Sequence, residues 1–122
     1  MLGALSDLRV LDLTTVLAGP FATRLLADHG AEVIKVQSKV TLEGPDHNIT
    51  GYFATWNRNK LGITLNLSKP EGIELAKRLV QISDVLVENF SPGVMVSLSL
   101  SYDALKEINP KLIMLSISGF GQ

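Results

Sequence analysis

The sequence predicts an α/β protein: an open, parallel sheet of the doubly wound type with helices on both faces. Three observations carry that expectation. Short apolar, β-branched runs recur between stretches of helical periodicity. The run at residues 84–88 (Asp-Val-Leu-Val-Glu) is nearly continuous in apolar residues, as in a strand covered on both sides. And 46% hydrophobic against 19% charged residues in a chain of 122 supplies a core and excludes a disordered tail. The length suits one domain, which at this size can bury roughly two-thirds of its extended surface.

The elements follow in order. Residues 9–13 read as a strand, closed by Thr14-Thr15 and then Gly19-Pro20. Pro20 suits the first position of a helix and Gly30 its end, so residues 20–29 read as the first helix. Residues 31–36 (Ala-Glu-Val-Ile-Lys-Val) alternate as a second strand. Residues 37–51 lose all periodicity, which predicts a surface loop or functional flap. Alternation at 63–67 predicts a third strand. Ser68-Lys69-Pro70-Glu71 then reads as a capping box that starts a helix running to about Ile82, with Ile73, Ala76, Leu79 and Val80 on one face. After the strand at 84–88, Ser91-Pro92-Gly93 turns the chain into a short helical piece. Ser101 caps another helix at 102–108, stapled by Leu100 and Leu105 and ended by Pro110. Residues 112–117 form the fifth strand.

Composition narrows the function. Eleven Lys and Arg against twelve Asp and Glu give a net charge of −1 without a basic stripe, so neither a nucleic acid nor an anionic membrane is expected as partner. With no cysteine there is no thiolate metal site, disulfide or thiol nucleophile, and His29 and His47 are too few for a His-built metal centre. The start has no basic, apolar leader, and no apolar stretch approaches the roughly 20 residues of a membrane helix. A cytoplasmic protein is expected.

In an open sheet, ligands bind outside the carboxyl ends of the strands, which directs attention to residues 14–19, 37–60, 89–93 and 118–122. The 14–19 loop is not G-x-G-x-x-G and not a P-loop; small and apolar, it suits packing an adenine better than wrapping a phosphate. Asp12, without a second carboxylate beside it, reads as a structural hydrogen-bonding residue. His29 fits a helix C-terminus and His47 a solvated loop. Asn48-Ile49-Thr50 matches a glycosylation acceptor by chance, since no secretory leader accompanies it. Asn57-Arg58-Asn59-Lys60 could clamp an anion or solvate a turn, and the residues leave both open. Asn89-Phe90 offers an amide and an aromatic face for a flat heterocycle, although a Phe at a strand end, like Phe120, also suits a core.

Together, Val10-Leu11-Asp12-Leu13, Leu17-Ala18-Gly19-Pro20-Phe21-Ala22-Thr23, Leu26-Ala27-Asp28 and Gly30-Ala31-Glu32-Val33-Ile34-Lys35-Val36 resemble the opening of the family III CoA-transferases, the CaiB/BaiF group. The resemblance continues through Asn57-Arg58-Asn59-Lys60, Pro70-Glu71-Gly72, residues 84–90 with Pro92-Gly93, Asn109-Pro110-Lys111-Leu112-Ile113, and Ser116-Ile117-Ser118-Gly119-Phe120-Gly121-Gln122. It spans nearly the whole chain, in order.

The resemblance implies an enzyme that moves coenzyme A from an acyl-CoA to a carboxylic acid through an aspartyl-CoA intermediate, with a Rossmann-like large domain, an interlocked homodimer and no covalently bound cofactor. Residues 1–122 would be the amino-terminal, CoA-binding part. The small domain and the nucleophilic Asp would lie after Gln122, so the segment alone is expected to be inactive. An α-methylacyl-CoA racemase would likewise keep its His and Asp downstream. A non-catalytic α/β regulatory module is a third reading, disfavoured because Asp12 lacks the clustered acids of a phospho-receiver. The CoA site carried over by resemblance comprises Val16, Leu17, Ala18, Leu65, Asn89 and Phe90. Where relatives often place basic residues towards the CoA phosphates, this sequence has Ser38, Ser68 and Ser97, which leaves Lys39 and Lys69, next to two of them, as the phosphate contacts.

Overall fold

The computed structural model describes residues 3–38 and 51–121. Strands β1 (Arg9–Asp12), β2 (Glu32–Gln37), β3 (Lys60–Thr64), β4 (Val85–Glu88) and β5 (Ile113–Ser116) form one sheet in the order β3-β2-β1-β4-β5. Every pairing is parallel, with Leu11 opposite Ile34 on one side and Leu86 on the other. Strand order therefore switches direction between β1 and β4, where an open sheet of this kind is expected to bind a ligand.

Helices α1 (Ala18–Asp28), α2 (Gly51–Asn57), α3 (Pro70–Gln81), α4 (Val94–Ser97) and α5 (Tyr102–Ile108) complete the described elements. Side-chain alternation in the strands sends neighbours to opposite faces. Leu11 and Leu86 pack with Ala76 and Val80 of α3, Met95 of α4 and Leu105 of α5, whereas Val10, Val33 and Val87 pack with Ala27 of α1. Both faces of the central strands are thus covered, which is why Val10 and Leu11 of β1 and Leu86 and Val87 of β4 are buried.

Several boundaries differ from expectation. The third strand is at residues 60–64, not 63–67: parallel pairing continues from Val33↔Lys60 to Gln37↔Thr64, so β2 sets its register rather than its own alternation. Helix α1 begins at Ala18, leaving Pro20 third in its first turn, where its missing N–H is still unneeded. Helix α2, with no buried residue of its own, was not legible as a helix. The expected Ser68 cap is absent: Lys69 is the N-cap residue, its ammonium has no acceptor to offer, and the Asn66 amide oxygen takes the Ser68 N–H that Glu71 was expected to reach. Pro70 does open α3. Ser101 caps α5 as expected, its hydroxyl accepting from the Ala104 N–H at 3.3 Å, and Gly30 ends the α1 segment at φ 106°.

Candidate functional site

At the switch point lies a cavity of about 240 Å³, walled by the ends of β1 (Leu13, Thr14, Thr15, Val16), β2 (Val36, Gln37, Ser38) and β3 (Leu65 to Ser68), by Phe90 after β4, and by Phe53 and Asn57 of α2. Of the residues expected there, Val16, Leu65 and Phe90 line it. Ser38 and Ser68 form part of the same wall, with the exposed Lys69 directly following. Leu17 and Ala18 are exposed and are not among its walls. Ser97 is turned to its own helix, its hydroxyl donating to the Val94 carbonyl at 2.8 Å. Lys39, His47 and Asn48-Ile49-Thr50 lie outside the described residues.

Asn89 acts on the backbone. Its amide oxygen accepts the Thr15 N–H at 2.8 Å and its Nδ2 donates to the Thr15 carbonyl at 2.7 Å, a two-point clamp from β4 onto the loop after β1. Gly19 closes the loop from the other side: a Cβ there would lie 2.4 Å from Thr14 Cβ. Thus pinned, Val16 sits at φ 66°, a left-handed conformation that β-branched residues avoid.

Beneath the loop, Asp12 is fully buried. One carboxylate oxygen accepts from the Thr14 N–H at 2.8 Å and from the Thr14 hydroxyl; the other accepts from Thr23 Oγ1 at 2.7 Å and Lys60 Nζ at 2.9 Å. Lys35, its register partner on β2, stands 3.7 Å away and donates to the Thr14 carbonyl at 2.6 Å. Burial by itself would raise the Asp12 pKa; Lys35, Lys60 and the two Thr hydroxyls outweigh it and hold the carboxyl below its usual range. Both oxygens are engaged, which accords with a structural Asp12.

The side chains of the 57–60 cluster are engaged within the protein. Arg58 and Asn59 bind Asp28 at the end of α1, at 2.8 and 2.7 Å. Lys60 turns inward, because its place opposite Val33 on β3 carries its side chain to the α1 side of the sheet. Asn57 accepts from Lys60 Nζ at 2.9 Å. Nearby, the Arg24 guanidinium lies 4.8 Å from the Phe21 ring centroid and 5.2 Å from that of Trp56, joining α1 to α2. His29 occupies the C-cap of α1, its Nδ1 2.7 Å from the Leu25 carbonyl.

Sequence reasoning missed Lys35 and Lys60 as partners of Asp12. For Lys35 the signal was a cation inside an apolar, β-branched run, where a buried charge has to meet its counter-charge in the interior; Lys60, first in β3 after a polar stretch, carries no such signal. Among the described residues no three His, Asp or Glu side chains gather as a metal site, and no helix is long and apolar enough to cross a membrane.

Comparison with known proteins places this architecture. The acyl-CoA transferase of Fusarium pseudograminearum is 44% identical over 98% of this chain and 30% of its own length. The succinyl-CoA:mesaconate CoA-transferase of Haloarcula marismortui is 46% identical over 98% of this chain and 33% of its own, and the human succinyl-CoA:glutarate CoA-transferase 42% over 97% and 28%. A crystal structure of a CaiB/BaiF family protein from Brucella suis superposes with a TM-score of 0.88 at 40% identity, over 98% of this chain and 34% of that one. The chain therefore spans about a third of the length of the relatives it matches. The family model for CoA-transferase family III matches residues 5–122, and with this sheet and these relatives the chain belongs to that family.

Proposed function

We propose that this chain supplies the coenzyme A-binding part of an enzyme that transfers CoA between an acyl-CoA and a free carboxylic acid. The observation that carries the reading is the cavity at the switch point, built from the segments 13–16, 36–38, 65–68 and Phe90. Val16, Leu65 and Phe90 give it apolar and aromatic surface for the adenosine and pantetheine, while Lys69 and Lys39 would meet phosphates. Asn89 serves by holding Thr15, and Leu17 and Ala18 would lie at the outer edge. Two of the relatives named above pair succinyl-CoA with a free acid, mesaconate or glutarate, which supports the same class of substrates here.

The nucleophile would be an Asp beyond Gln122. Its carboxylate attacks the thioester carbonyl and expels CoA thiolate, leaving a mixed anhydride; the thiolate then attacks the aspartyl carbonyl, releasing the donor acid and leaving aspartyl-CoA for the acceptor to repeat the exchange in reverse. Asp12 is unsuited to that role, being buried with both oxygens engaged. An interlocked homodimer in the cytoplasm completes the proposal.

Two measurements test it. Calorimetry of the full polypeptide that the gene encodes is expected to show CoA binding competed by acyl-CoA; no heat and no competition would refute it. Residues 1–122 alone are expected to give no acyl exchange between a CoA thioester and a free acid, and detecting exchange would place the nucleophile inside them.

A further inference from the structure

Lys60 has three N–H donors and three acceptors. Its Nζ lies 2.9 Å from Asp12 Oδ2 at the end of β1, 3.1 Å from the Pro20 carbonyl in the first turn of α1, and 2.9 Å from Asn57 Oδ1 at the end of α2. The side chain is 1% exposed. One buried ammonium thus ties together three elements that border the cavity. Through Asp12 it also reaches the Thr14 N–H, and through Pro20 the far end of the loop that holds Val16 in its left-handed conformation. Lys60 itself is not in the cavity wall, so any effect on a ligand must pass through that loop.

We propose that Lys60 is a positioning residue: its three-way bond presets the 14–19 turn, so that the ligand meets a binding surface already in its bound shape. This rests on reading the cavity as the coenzyme A site. Holding the turn before binding removes an ordering cost from the association step. A neutral amine donates only two N–H bonds and brings a lone pair towards the third oxygen, so the tie is complete only while Lys60 is charged. Burial pushes its pKa down to about 8 although Asp12 opposes this; Lys35 from β2 and Arg24 from α1 are the other charges that face it.

The test uses the full polypeptide and acetyl-CoA, which has no free thiol to titrate. Lys60→Met is expected to weaken acetyl-CoA binding by about tenfold or more. Without ligand, amide exchange at Thr14 and Thr15 is expected to accelerate by about tenfold while that of Val85 to Glu88 in the central strand is unchanged. In the wild type, affinity is expected to fall between pH 7 and 9, a step that Lys60→Met removes. A merely structural lysine would lower the melting temperature but leave local exchange and the pH step alone, and that result overturns the proposal. So does faster exchange at Thr14 and Thr15 with affinity unchanged. Local loosening in a protein whose wild type binds no acetyl-CoA would support the preset turn and refute the coenzyme A reading. If Lys60→Met does not fold, the wild-type pH profile decides: a flat profile overturns the proposal.

Discussion

Asp12 and Lys60 form one ion pair, and each makes stability rise with pH, in separate windows. Asp12 has its pKa lowered in the folded state, so its contribution to stability is complete above the ordinary carboxylate value of 3.8 and is lost as pH falls through the lower folded value. Lys60 is pushed down to about 8 from 10.5 by burial. Between those two values the unfolded chain binds a proton that the folded chain does not, so this residue makes stability rise with pH across that window. Urea denaturation at pH 8 and pH 10 is expected to show the rise in the wild type and its loss in Lys60→Met. Asp12→Asn keeps the side-chain shape but leaves Lys35 and Lys60 without a counter-charge in the interior. It is expected to lower stability by about 3 kcal/mol near pH 7, measured by the same denaturation. Asp12 could be recognised from the sequence as structural, but its partners could not: they are 23 and 48 positions away, and β-sheet register rather than local pattern brings them together.

At the scale of elements, packing outweighs local signals. Helix α5 has 7 residues, too few to persist alone in water. Its Ser101 cap is worth about 1 kcal/mol, whereas truncating its buried Leu105 removes about 2–5 kcal/mol of core packing. Chemical denaturation of Ser101→Ala and Leu105→Ala is expected to reproduce that order, and a cap effect as large as the core effect would contradict it. The same hierarchy explains which elements could be read from sequence. Strands β1, β2 and β4 and helices α3 and α5 bury an apolar face and advertise it by period. Strand β3 is an edge strand with Leu61 56% exposed, so its alternation is weak and its expected position slipped by three residues. Helix α2 rests against α1 through Trp56, edge-on to Phe21, and carries no such stripe.

For the whole molecule, the outer strand on the other side is β5, and its α1-facing side chains are bare. Ile113 and Leu115, opposite Val85 and Val87, are 64% and 46% exposed. Apolar side chains on an edge strand invite association. Light scattering of residues 1–122 is expected to show self-association that Leu115→Lys reduces, with stability changed by less than about 0.5 kcal/mol. The sequence by itself determined the class of fold, the order of its strands and the family, because hydrophobic period and motif order are local properties of a chain. It also pointed to strand-end loops, of which 14–19, 37–60 and 89–93 contribute residues to the cavity wall. Only the tertiary structure decided what those loops do. It turned Lys60 from a surface cation into a buried tie, made Asn89 a clamp on Thr15 rather than a free amide, and held Val16 left-handed at the cavity. Each of these depends on contacts between residues far apart in sequence, which parallel pairing brings within hydrogen-bond reach and no local periodicity encodes.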